Sequence, residues 1–217
     1  MLLPLTPDEL LSTTRSVRKR LDLGRDVPTD VLRECVELAL QAPTGSLRQD
    51  WHFVVSNDRD QCRRVGEVYQ RVWRSIAGGY EERAEKVEPT DEAARRSWLK
   101  MMDSARYLAD HFPEVPAIVV PCIDGRLDGA AAGVQALKWG SIIQAAWSFM
   151  LAARARALGT CWTTVHLSAE AEVADILGIP VADVQQVALI PVAYTIGTDF
   201  KPGARKPTER FVHWNGW

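Results

Sequence analysis

The chain has 217 residues, 47% hydrophobic and 25% charged, with a formal net charge of −2. Such a chain can bury one good-sized core, its balance is that of a soluble globular protein, and nothing in it invites nucleic acid or an anionic membrane as partner. The four cysteines, Cys35, Cys62, Cys122 and Cys161, lie far apart, with no C-x-x-C and no histidine at metal-ligand spacing. They read as reduced thiols of a cytoplasmic protein, not as a disulfide frame or a zinc site.

In chain order, the start breaks its apolar run with proline and has no basic leader, so no secretory signal is expected. Thr6-Pro7-Asp8-Glu9 predicts a helix start, with Thr6 as cap, Pro7 in the first turn and Glu9 closing a capping box. The basic stretch Thr13 to Arg20 follows, then a helix over Thr29–Gln41, a loop at Ala42–Ser46 and a strand over His52–Ser56. Residues 59–110 read as charged, amphipathic helix with a break near Gly78-Gly79 and Pro89. About 65–112 are expected to form a helical excursion over the site. Ala117–Ile123 predicts a buried strand whose Pro121 suggests an edge or a bulge.

Ala132–Leu158 predicts one long helix. Its middle, Trp139 to Ala153, carries no charge on any face and so must be buried on every face, Ser141 and Gln144 included. At about 15 residues between Lys138 and Arg154 it is short for a membrane span. So small a chain has little material to wrap such a helix, which points to cover from a second copy. A strand over Thr160–Thr164, a helix capped by Ser168 and stopped by Gly178, and a strand over Val187–Tyr194 complete the core. The tail, 198–217, carries Phe211, Trp214 and Trp217, which are costly to leave in water and are expected to pack on a partner subunit. The whole is one α+β domain, 1–217.

Known catalytic signatures are missing: no G-x-G-x-x-G after a strand, P-loop, G-x-S-x-G, H-E-x-x-H or EF-hand loop. His52, His111, His166 and His213 form no cluster, and each reads as a satisfied or exposed histidine. If the chain is an enzyme, a bound organic cofactor carries the chemistry.

Three segments together resemble the FMN-dependent nitroreductase family. Thr14-Arg15-Ser16-Val17-Arg18 resembles its R-R-S-x-R/K. Ala42-Pro43-Thr44-Gly45-Ser46-Leu47-Arg48-Gln49-Asp50-Trp51-His52-Phe53-Val54-Val55 resembles A-P-S-S-x-N-x-Q-P-W-x-F-x-V. Ala157-Leu158-Gly159-Thr160-Cys161-Trp162 resembles its G-L-G-T-x-W at the end of a long apolar helix. The basic, proline-bearing run Lys201 to Pro207 is similar to the segment that reaches the flavin phosphate. The resemblance implies a nitroreductase-like sandwich, a mainly antiparallel sheet flanked by helices, with the long helix at a homodimer interface and shared active sites.

It also implies FMN as cofactor. Arg18 would sit near N1 and the C2 carbonyl, where arginine eases the negative charge of the reduced ring, Arg15 and Ser16 at the ribityl-phosphate side, and Arg205 at the phosphate. Pro43, Thr44 and Gly45, with Leu47, would approach the flavin of the other subunit. Trp162, Thr163 and Thr164 would line the ring, with a backbone N–H near Thr164 directed at N5. No side chain is implied as catalytic. The implied reaction is ping-pong hydride transfer from NADPH or NADH, through N5, to a nitroaromatic or quinone. The alternatives are reductive dehalogenation, oxidation of a small molecule, or low-turnover flavin binding. Two departures bear on cofactor strength: Thr14 replaces the family's first arginine, with Arg15 or Lys206 as substitutes, and Leu47 and Asp50 replace its asparagine and proline.

Overall fold

The computed structural model describes the backbone of residues 2–86 and 92–217, and the side chains of 2–79 and 92–217. The expected break at Pro89 lies outside them. Six α-helices and five strands are described: α1 (Pro7–Thr13), α2 (Thr29–Ala39), β1 (Trp51–Ser56), α3 (Arg59–Lys86), α4 (Glu92–His111), β2 (Ala117–Asp124), α5 (Ala132–Ala155), β3 (Leu158–Thr160), α6 (Glu170–Leu177), β4 (Val184–Gln186) and β5 (Ile190–Tyr194).

The sheet runs β1-β2-β5-β3, with β4 beside β2 in line with β5, and each of these pairings is antiparallel. β2 is buried on both faces, and its alternation assigns the layers. Ile118, Val120 and Cys122 join the cluster made by α3, α4 and α6. Ala117 and Val119 join the one made by α2 and α5. Pro121 is therefore in an internal strand, not at an edge. The Asp124 N–H points to Asp50 O across the β1 side, so odd-numbered amides face β4 and β5. The missing N–H of Pro121 falls where the partner changes from β5 to β4, and its carbonyl accepts from Val187 N at 2.9 Å.

Local signals account for several ends. Thr6 and Glu9 form both bonds of the capping box. Gly178, at φ +70°, closes α6, with Ile179 N on Ala174 O. Several expectations change. Ser168 does not cap α6: it lies in a 3-10 turn over Val165–Ala169, and Ala169 takes the cap position without a side-chain bond. α3 runs through Gly78 and Gly79 unbroken, since three glycines in 28 residues weaken a helix without interrupting its bonds. α2 ends at Ala39, short of Gln41.

α5 ends at Ala155, because Ala157 turns left-handed at φ 60° and its carbonyl accepts from Thr195 N at 2.9 Å. The strand beyond is then Leu158–Thr160, and Thr163 keeps a single antiparallel bridge to Leu189. α5 is also not buried all round in one chain. Val134, Ile143 and Trp147 are 49, 46 and 40% exposed, and Gln144 is exposed too.

Candidate active site

The first and third motifs meet edge to edge. Val17 N donates to Thr160 O at 2.8 Å, and Ser16 bridges Thr160 in parallel. A Cβ on Gly159 would lie 2.9 Å from both Val17 Cβ and Thr195 Cγ2. The glycine is there because the basic segment crosses directly over it. With Val17 buried, Ser16 is exposed and Arg18 half-buried against the turn. Arg18 Nη1 donates to Ser104 Oγ at 3.3 Å, and Ser104 donates on to Met101 O. Ser104 comes from α4, 86 residues away, and no sequence signal marks it. Burial pushes the Cys161 thiol up, against the pull of Arg18 and Ser16 beside it.

The tail brings Arg205 to Arg15. A Cβ on Gly203 would lie 2.5 Å from Arg205 Nη1 and 3.4 Å from Arg15 Nη2, so two guanidiniums crowd one glycine. Their hydrogen bonds go to neutral oxygens: Arg15 to Lys201 O at 2.9 Å and Arg205 to Ala204 O at 2.9 Å. Among the described residues Arg15, Arg18 and Arg205 have no carboxylate partner. Like charges gathered without a counter-ion repel, and an anion with several oxygens resolves that repulsion through charge-assisted bonds. The donor set fits a phosphate-bearing cofactor.

Trp162, Thr163 and Thr164 follow on the same edge. Trp162 packs half-buried on the β-sheet core. Thr163 is buried and its hydroxyl donates to Leu189 O at 2.8 Å. Thr164 is exposed, and its N–H meets no backbone acceptor among the described residues.

The second motif stands apart. No hydrogen bond or ion pair among the described residues joins Pro43–Leu47 to Arg15–Arg18 or to Trp162–Thr164. The loop docks on α5 instead: Gly45 N donates to Ser141 Oγ at 3.0 Å, and Ser141 donates to Leu137 O. The expected polar demand at buried Ser141 is met this way. Ser46, Leu47 and Gln49 all have positive φ, 55, 55 and 49°, a region that asparagine or glycine occupies more readily. Leu47 is 84% exposed. Asp50 is held by Lys138 Nζ at 3.4 Å and Arg48 Nε at 3.6 Å.

His52 pairs with Asp124, and His111 with Glu114, at 2.8 Å each, while His213 stacks on Trp217. His166 is neither satisfied nor exposed. Among the described residues both its ring nitrogens lack partners, and burial pushes it down to about 4, so it stays neutral.

A helix-flanked antiparallel sheet with an uncompensated arginine pair beside a Gly-Thr-Cys-Trp turn defines a nitroreductase-like α+β protein. The chain belongs to the Nitroreductase family, whose model matches residues 11–194. Membership places it among oxidoreductases. Iodotyrosine deiodinase 1 of Rattus norvegicus is 31% identical over 114 residues, 52% of this chain and 38% of that one. A Methanothermobacter thermautotrophicus protein, named for NADH dehydrogenase/NAD(P)H nitroreductase activity, is 31% identical over 61 residues, 28% of this chain and 31% of that one. These matches span about a third of the length of the curated relatives. Among solved structures, the FMN and NADPH-dependent nitroreductase NfnB from Sphigopyxis sp. strain HMH superimposes with a TM-score of 0.66 at 20% identity, covering 98% of this chain and 100% of that one. An iodotyrosine deiodinase bound to FMN and 3-iodo-L-tyrosine gives 0.68 at 19% identity, over 97 and 99%. No helix among the described residues is long and apolar enough to cross a membrane.

Proposed function

We propose that the chain is an FMN-dependent oxidoreductase that takes reducing equivalents from NADPH or NADH and delivers them to an electron-poor acceptor, a nitroaromatic or a quinone. The observation that carries this is the convergence of Arg15 and Arg205 at Gly203 with no carboxylate among the described residues to neutralise them. FMN, when bound, supplies the hydride chemistry. The chain's own residues bind and orient. Arg15, Ser16 and Arg205 would hold the phosphate end, while Arg18 would favour the anionic reduced ring through charge and a fork of donors. Trp162 would give an apolar wall, and the free Thr164 N–H would be one donor at the ring's edge. Thr163, bonded to Leu189, would shape the turn. No general acid or base is required where the flavin carries the chemistry.

The working unit in this reading is a homodimer. The exposed Val134, Ile143 and Trp147 of α5 would be covered by the second copy, the tail would pack on that copy, and each Pro43–Leu47 loop would reach the other subunit's flavin. The described parts of the excursion over 65–112, within α3 and α4, would cover the site, and four buried free cysteines suit the cytoplasm. Reductive dehalogenation of an aromatic substrate is the second reading. The deiodinase match and the contact of α4 with Arg18 through Ser104 favour it.

Purified protein should be yellow or become so with FMN. Anaerobic NADPH or NADH should bleach the flavin band, and a nitroaromatic or quinone should restore it. Halide release from an iodinated phenol under the same conditions would favour the second reading. A colourless protein that takes up no FMN would overturn both.

A further inference from the structure

The junction between core and tail is held by arginines from two distant parts of the chain. Arg20 Nε donates to Ile196 O at 2.7 Å, Arg154 Nη2 to Thr198 O at 3.0 Å, and Arg15 Nη1 to Lys201 O at 2.9 Å. Between these carbonyls lies Phe200, half-buried against the core formed with α3, α4 and α6. Arg20 Cζ lies 4.3 Å and Arg154 Cζ 4.9 Å from its ring centroid, so two guanidiniums share one ring.

Arg154 is the unusual member. It is 3% exposed in the last turn of α5 and, among the described residues, has no carboxylate partner and leaves Nε and Nη1 without hydrogen-bond partners. Desolvation, then the neighbouring Arg20, pull it below its ordinary value. What offsets its charge is the negative end of α5, Thr13 Oγ1 at 3.3 Å, the Thr198 carbonyl and the face of Phe200. Beyond Phe200 every residue except Gly203 is exposed. Phe200 is thus the last apolar anchor before Arg205.

We propose that Phe200 is a positioning residue whose ring, shared by Arg20 and Arg154, fixes the tail so that Arg205 meets Arg15 at the phosphate side of the site. The ring ties an otherwise exposed segment to a buried cation, and two cations are brought together at Gly203 by tail geometry and not by attraction. The ligand half of this rests on the flavin reading, while the tail half stands without it.

The test uses the full chain and two readouts. Trypsin reports the tail by cutting after Arg205 and Arg210, since Lys201 and Lys206 precede proline. Fluorescence titration compares FMN with riboflavin, which lacks the phosphate. Phe200→Leu, which keeps apolar volume and loses the ring, should raise ligand-free cleavage after Arg205 about five- to tenfold, the effect of losing cation–π contacts of ordinary strength. FMN affinity should fall by a similar factor, with riboflavin affinity unchanged. Phe200→Trp should match the parent in both readouts. Arg20→Gln should move both in the same direction by less.

Cleavage after Arg205 that is unchanged in Phe200→Leu, or raised equally in Phe200→Trp, overturns the proposal. If Phe200→Leu does not fold, Arg20→Gln decides, and parent-like cleavage there overturns it. A parent that takes up no FMN refutes the flavin reading, and the cleavage series still decides the role of Phe200.

Discussion

Two regions pack on α5 by opposite means. The Pro43–Leu47 loop docks at Leu137 and Ser141, and the tail junction at Arg154, 13 positions on and roughly 20 Å along the helix axis. The tail junction has an excess of cations: Arg15, Arg20, Arg154 and Arg205 gather with Asp199, on Arg20, as their carboxylate. The loop has an excess of exposed apolar surface on a strained backbone, with Leu47 at its tip. Each excess names what would relieve it, an anion in the first region and apolar cover in the second. Neither region is completed by the other within one chain, which is why the proposed dimer and the proposed flavin enter together.

The largest expected effect breaks the cationic side. Arg205→Ala removes charge-assisted bonds worth about 1.5–3 kcal/mol, so FMN affinity should fall roughly 10- to 100-fold while riboflavin affinity stays put. Melting of the ligand-free protein should hold or rise slightly, because one of two repelling charges has gone. A large loss of ligand-free stability would instead make Arg205 a structural residue and remove the contrast with the loop.

The next effect concerns the loop's seat. A Cβ on Gly45 would lie 2.5 Å from Leu137 Cγ and 3.0 Å from both its methyls. Gly45→Val should therefore destabilise by about 1–3 kcal/mol through overpacking. Adding Leu137→Ala should return part of that loss, since the two residues are in contact and their effects do not add. Denaturant melts of the two singles and the double measure it. Additive singles would mean that the loop moves away whole.

Features set by neighbouring residues are legible in the sequence, and those set by distant ones are not. The Thr6–Glu9 box, the Gly178 stop and the apolar run of β2 state their geometry within a few residues. The three motifs also announce a family, and its model matches residues 11–194. Which face of α5 lacks cover is not legible, because an uncharged run has no polar side to orient it, and the pattern alone puts Gln144 in the interior. Ser104 on Arg18 and Arg154 on Phe200 join residues 86 and 46 positions apart. A serine in a charged helix and a phenylalanine in a basic tail carry no local mark of such contacts. His166 is the converse case, a buried imidazole with no partner where the sequence suggests a satisfied or exposed one.

The smallest effect is the most discriminating. Leu47 has φ 55°, where a side chain with Cβ is disfavoured by roughly 1–2 kcal/mol and asparagine by less. If the loop faces water, Leu47→Asn relieves strain and removes an 84% exposed leucine, so stability should rise by about 0.5–1 kcal/mol. If a second copy covers the loop, the same change removes about 1.5–3 kcal/mol of leucine burial and outweighs the relief. Sedimentation across a dilution series, run beside thermal melts, separates the two. A melt that rises with no shift in self-association sinks Leu47 as a contact of the dimer seam. A melt that falls and becomes concentration-dependent places the strained leucine where the proposed second subunit covers it.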